Sequence, residues 1–100
     1  MARKNRIDET SALELAQTFR LLGDRTRLRI MLCLARKEMG VRALSKALNL
    51  NQQVISHHLG YLRMGRLVTK RRTGMRSIYS LNAANLADQL GRFARALPDT

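Results

Sequence analysis

Between Val41 and Met64 the chain carries two apolar runs at helical spacing, separated by Asn49 and Leu50, with Asn51 placed to cap the second. Leu44, Ala47 and Leu48 recur in the first run, and Val54, Ile55, His58, Leu59 and Leu62 in the second. Each run predicts a helix with one buried face. After Gly65 the period changes. Leu67, Val68 and Thr69 lead through Lys70, Arg71 and Arg72 to a turn at Thr73-Gly74, and a second run follows from Arg76 to Leu81 with Ile78 and Tyr79. Two short β-type runs around a glycine turn predict a hairpin. Helix, tight turn, helix and hairpin in this order leave few folds open: the chain is expected to be mainly α with a small β-hairpin wing, a winged helix-turn-helix.

The flanks are expected to complete one domain. Residues 1–9 are polar and charged without periodicity and read as a mobile basic arm. Ser11 with Glu14 has the spacing of a capping box, and a helix follows to about Leu22 with Leu15, Ala16, Phe19 and Leu22 on its apolar side. Gly23 ends it, and Asp24 is an N-cap for a second helix from Arg25 to about Ala35. There Leu28, Ile30, Met31, Leu32 and Leu34 cover most of the circumference, which predicts a central helix. Arg36 to Gly40 reads as a polar turn. Asn82 caps a last helix that runs to Leu97, where Pro98 prevents continuation. The expected organisation is therefore an arm (1–9), a domain (10–97) and a short tail (98–100).

Charge narrows the partner. Nineteen Lys+Arg stand against seven Asp+Glu, a net charge of +12, and fifteen of those cations are arginine, the type that makes forked contacts to phosphate and guanine. Such an excess favours a polyanion. A membrane surface fits poorly, because no basic helix carries a bulky Trp/Phe face and no apolar run approaches the ~20 residues of a span. The start of the chain has no apolar core of a secretory signal, and Cys33 has no partner for an internal disulfide. Both point to the cytoplasm. On the second of the paired helices Gln53, Ser56, His57 and Gly60 form an outward stripe free of acids. Gln, Ser and His can hydrogen-bond base edges, and a glycine allows close approach to a groove. Double-stranded DNA is the expected partner, with Gln52, Gln53, Ser56 and His57 facing bases. Arg63, Arg71, Arg72 and Arg76 are expected to hold phosphates or enter the adjacent minor groove.

A second surface is expected from surplus apolar residues. Residues 24–81 already suffice for a winged-helix core. Leu86, Leu90, Phe93 and Leu97 then form a stripe on the last helix, and Leu15, Phe19 and Leu22 a stripe on the first. Pairing them across a two-fold axis would bury both, so a homodimer is expected.

Catalysis finds no support. No Ser-His-Asp set, paired carboxylate or glycine-rich phosphate loop is recognisable. Singly, His58 reads as a core-edge histidine bonded to backbone, and Cys33 as a small buried hydrophobe. Tyr61 and Tyr79 read as packing on the wing and core. Asp24 is spaced to pair with Arg27.

The stretches LLGDRTRLRIMLCL and VRALSKALNLNQQVISHHLGYLRMGRLVTKRRTGMRSIYSL resemble the ArsR/SmtB family of bacterial transcriptional repressors. The likeness is carried by LGDRTRLRI at the second helix, SHHL in the reading helix and the step from Leu62 to Val68 into the wing, and it covers about residues 13–97. It implies a homodimer on a short palindromic operator, released when an effector binds. Metal-sensing members often carry Cys-x-Cys at the start of the third helix, where this chain has Gly40, Val41 and Arg42. Others use Asp and His on the last helix, where this chain has Asp88 and no histidine. His57 and His58 diverge by about 100° around a helix, so they are poorly placed to chelate one ion together. No metal site of the family type and no cofactor are expected, and the effector is unknown. Two rivals stand beside this reading: a basic module that docks on an acidic protein, and a sensor acting through Cys33 or a pocket at the dimer seam.

Overall fold

The computed structural model describes residues 7–99. The chain forms α1 (Glu9–Leu22), α2 (Arg25–Arg36), α3 (Val41–Leu48), α4 (Gln52–Met64), β1 (Val68–Thr73), β2 (Arg76–Leu81) and α5 (Ala83–Ala96). This is the expected winged helix-turn-helix order. Most of the basic arm lies outside the described residues, but its end does not stay apart from the domain. Asp8, rather than Ser11, caps α1: its Oδ1 accepts the Ser11 N–H at 2.8 Å. A carboxylate is a charge-assisted acceptor and also favours the positive end of the helix dipole, which the Ser11 hydroxyl does not.

One layer of apolar side chains unites the elements. Ile30 from α2, Leu44 from α3, Ile55, Leu59 and Leu62 from α4, and Leu67 and Val68 at the wing entry are essentially inaccessible to solvent. Four of the expected faces are corrected. In α1 the buried residues are Leu15, Thr18 and Leu21, while Ala16 and Phe19 are exposed. Thr18, being polar, falls outside an apolar pattern. Its hydroxyl donates to Gln89 Oε1 at 2.9 Å, which satisfies it under α5. In α2 only Ile30, Met31 and Leu34 are buried. Leu28 and Leu32 face out, so α2 buries one side and not most of its circumference, while that side still packs against α1, α3, α4 and β2. Ala47 of α3 and Val54 of α4 are exposed as well.

The turn between α3 and α4 uses Asn49 in the left-handed region (φ 56°), which asparagine tolerates better than most residues. Asn51 Oδ1 then accepts the Val54 N–H at 2.8 Å and starts α4. In the hairpin Thr73 pairs with Arg76, so Gly74 and Met75 are the two turn residues. Gly74 takes the positive φ (63°) that the first position of a tight two-residue turn demands.

The stretch Arg36 to Gly40 is more than a turn. Met39 exchanges both backbone bonds with Tyr79, at 3.0 and 2.8 Å, adding an isolated bridge to the free edge of β2. Beside it, Glu38 accepts from the Ser80 hydroxyl at 3.1 Å and pairs with Arg71 on β1. The middle of the wing is thus tied to the link between α2 and α3. Its root is tied to α5, because the Arg66 carbonyl accepts from Asn82 Nδ2 and Asn85 Nδ2, each at 2.9 Å.

Candidate nucleic-acid interface

Burial of Ile55, Leu59 and Leu62 fixes the rotation of α4. Gln52, Gln53, Ser56, His57, Gly60 and Arg63 are all left exposed on this helix. A Cβ added at Gly60 would meet no atom within 4 Å, so the backbone there lies open to a close partner. His57 stands edge-on to Tyr61, with ring centroids 4.9 Å apart.

Two residues beside the stripe differ from expectation. Tyr61 is exposed, not packed on wing or core, and the Arg27 guanidinium lies 5.7 Å from its ring centre. His58 is half-buried, but its neighbour is Arg27 Nη1, 3.4 Å from Nδ1, and not backbone. Arg27 is the hub of this corner. Its Nε donates to the Leu21 carbonyl at 2.7 Å, and its Nη1 lies 4.0 Å from Asp24 Oδ2, the expected i,i+3 pair. The Asp24 carboxyl is held below its ordinary pKa, first by the Arg27 backbone N–H it accepts and then by that guanidinium's charge. Tyr79, by contrast, is buried in the core as anticipated.

Next to α4, an open groove is lined by Arg42, Ser45 and Lys46 of α3, Asn49, Asn51, Gln52 and the wing residue Arg76. Arg42 and Lys46 lie outside the expected set of contacts. Their i,i+4 spacing on the side of α3 opposite Leu44 and Leu48 is the sequence signal that marks them. Arg72 and Arg76 are exposed, and among the described residues neither takes part in an ion pair. Arg71 is different: Nη2 pairs with Glu38, and Nη1 donates to Thr73 Oγ1 at 2.8 Å.

The seven expected seam residues divide. Leu15 is already buried within the protomer, and Leu22 and Leu86 pack against the core. Phe19, Leu90, Phe93 and Leu97 are exposed, and Phe19 meets Phe93 edge-on with centroids 5.4 Å apart. Around them Arg92 Nη1 donates to the Ser11 hydroxyl at 2.9 Å and its Nε lies 3.3 Å from Asp88. Among the described residues no three His, Cys, Asp or Glu side chains are grouped to hold a metal ion, and no helix is long and apolar enough to cross a membrane.

The family profile described as bacterial regulatory protein, arsR family, matches residues 24–70. The regulator NmtR of Mycobacterium tuberculosis is 32% identical over 84 residues, covering 84% of this chain and 70% of NmtR. The chain belongs to the ArsR family. Its helix-turn-helix and the first residues of its wing fall inside the matched profile. Within the family, the transcriptional repressor SmtB homolog of Synechocystis is 43% identical over 70 residues, 70% of this chain and 53% of that protein. The chain therefore spans about half the length of that relative. Among solved structures, the homodimeric winged helix-turn-helix DNA-binding domain of Mb0332 from Mycobacterium bovis superposes with a TM-score of 0.73 at 29% identity, covering 92% of this chain and 87% of that one.

Proposed function

We propose that this ArsR-family chain is a homodimeric transcriptional repressor that binds a short palindromic duplex operator, without a family-type metal site. The observation that carries the reading is the acid-free exposed stripe of α4, Gln52, Gln53, Ser56 and His57, beside the groove of Arg42, Lys46 and Arg76. The stripe supplies donors and acceptors for base edges, and the cations supply phosphate contacts that set register. Arg63 on the last turn of α4 and Arg72 on the wing extend that phosphate surface. Phe19, Leu90, Phe93 and Leu97 form the exposed part of the seam. The relatives named as repressors and the homodimeric domain from M. bovis support this assignment.

Selection from a random duplex library with the purified protein tests it. Enrichment of an inverted repeat is the expected result. Recovery of unenriched duplex, or of none, overturns it.

A further inference from the structure

Seven acids serve this chain, and among the described residues six of them make no ion pair with β1 or β2: Asp8, Glu9 and Glu14 at α1 (Glu14 meets Arg66, just before β1, at 3.8 Å), Asp24 at the start of α2, Asp88 on α5 and Asp99 in the tail. Glu38 is the exception. It sits in the α2–α3 link, one residue before the Met39–Tyr79 bridge, and reaches the strand pair with both oxygens. Oε1 receives Arg71 Nη2, and Oε2 receives the Ser80 hydroxyl. The Arg71 guanidinium has a further anchor on its own strand, the Thr73 hydroxyl. Arg71 is thus oriented along the wing by two partners, while its neighbour Arg72 and the cross-strand Arg76 have no ion-pair partner among the described residues.

We propose that Glu38 limits the wing's affinity for nucleic-acid phosphate by withdrawing Arg71 from it, and so sets how strongly recognition depends on α4. This rests on the DNA reading above. A solvent-exposed ion pair is weak, and a phosphate could compete for the arginine. Competition here has an added penalty. If Arg71 leaves, the Glu38 carboxylate remains beside the wing, unneutralised and facing a polyanion. The arginine hydrogen bond is also the chief reason the Glu38 carboxyl is held below its ordinary pKa, with the Ser80 hydroxyl second. An acid in this place subtracts one cation from the sequence-independent term of binding and leaves the base-reading term of α4 untouched. Specificity is the ratio of the two.

Glu38→Gln removes the charge and keeps a carbonyl oxygen for Ser80. On a random duplex of fixed length, this variant should bind more tightly, and its log–log salt slope should steepen by about 0.9, the value of one added phosphate contact. The preference for operator over random duplex should fall. Adding Arg71→Gln to Glu38→Gln should cancel the gain and return the slope to that of the parent. A slope unchanged by Glu38→Gln, or weaker binding to both duplexes, overturns the proposal and makes the pair a strut for the wing. A gain that survives in the double variant overturns it too, since the added contact would then not be that of Arg71. Thermal unfolding of each variant, superimposable on the parent, excludes a folding defect as the source. An unsubstituted protein that binds no duplex overturns the DNA reading itself, which separates that failure from failure of the Glu38 assignment.

Discussion

Leu21 fills the space that any side chain at Gly65 would need: a Cβ placed there would lie 2.3 Å from Leu21 Cδ1. This glycine ends α4 with an ordinary negative φ of −82°, and it is the following residue, Arg66, that takes the left-handed value of 59°. The glycine is therefore demanded by the approach of α1, not by backbone conformation. Because Leu21 is buried in the core, it has little room to move aside. Gly65→Ala should cost about 1–3 kcal/mol, the usual range for overpacking. Arg66→Gly, which relieves the left-handed arginine, should cost little or nothing. Urea unfolding with unchanged m-values measures both, and the reverse order would show that α1 does not close on the end of α4.

Binding should weaken steeply with salt. With roughly 6–10 phosphates contacted by a dimer, the log–log slope is expected near −5 to −9. Fluorescence anisotropy of a labelled duplex between low and moderate salt reads this directly, and a slope near zero would remove DNA as the partner.

Wing and helix should fail in different ways. Arg72→Ala should weaken operator and random duplex alike by about 1 kcal/mol, as loss of one charge-assisted contact. Gln53→Ala should cost about 1–3 kcal/mol on operator and little on random sequence. Equal losses on both DNAs for both variants would mean that the α4 stripe does not read bases.

Leu90→Arg should break the dimer. Leu90 shares the last helix with Phe93 and Leu97, both exposed in the protomer, and a guanidinium packed among these apolar side chains would lose its hydration. Leaving a charge buried and unpaired typically costs about 3–5 kcal/mol. Sedimentation velocity of the variant should show a monomer with native far-UV circular dichroism. An unchanged dimer would move the seam away from α5.

Acid should destabilise the fold through its caps. Asp24 has a lower pKa folded than unfolded, so on acidification the unfolded chain takes up the proton first. Its contribution is complete above the ordinary aspartate pKa of about 4 and is lost as pH falls through the lower folded value. Asp8 and Glu38 are depressed in the same sense. Melting temperature should therefore drop below about pH 4. In Asp24→Asn, which still caps α2 but cannot titrate, the drop should be shallower. Equal acid sensitivity in both proteins would assign the effect to the other carboxylates.

The elements were legible because local rules agreed with tertiary ones. Asn51, Asp24 and Asn82 each cap the helix they precede, and the period change after Gly65 does mark the wing. What escaped were contacts that no local pattern encodes. Thr18 is buried because Gln89, far along the chain, supplies its partner. Met39 joins the sheet because Tyr79 offers a free strand edge. Arg71 looked equivalent to Arg72 in sequence, since nothing local reveals that Glu38 lies across from one and not the other. The exposed stripe of α4 was readable because Ile55, Leu59 and Leu62 dictate its rotation. Val54, only one residue from Ile55, is exposed for the same geometric reason: it stands about 100° around from it.

The bridge between Met39 and Tyr79 has a mechanical consequence. Two backbone bonds clamp the middle of β2 to the segment that leads into α3, and α3 in turn carries α4. The hairpin and α4 are thereby coupled like the two jaws of a caliper whose joint lies at Met39. Any widening that carried β2 away from the link between α2 and α3 would have to break both bonds.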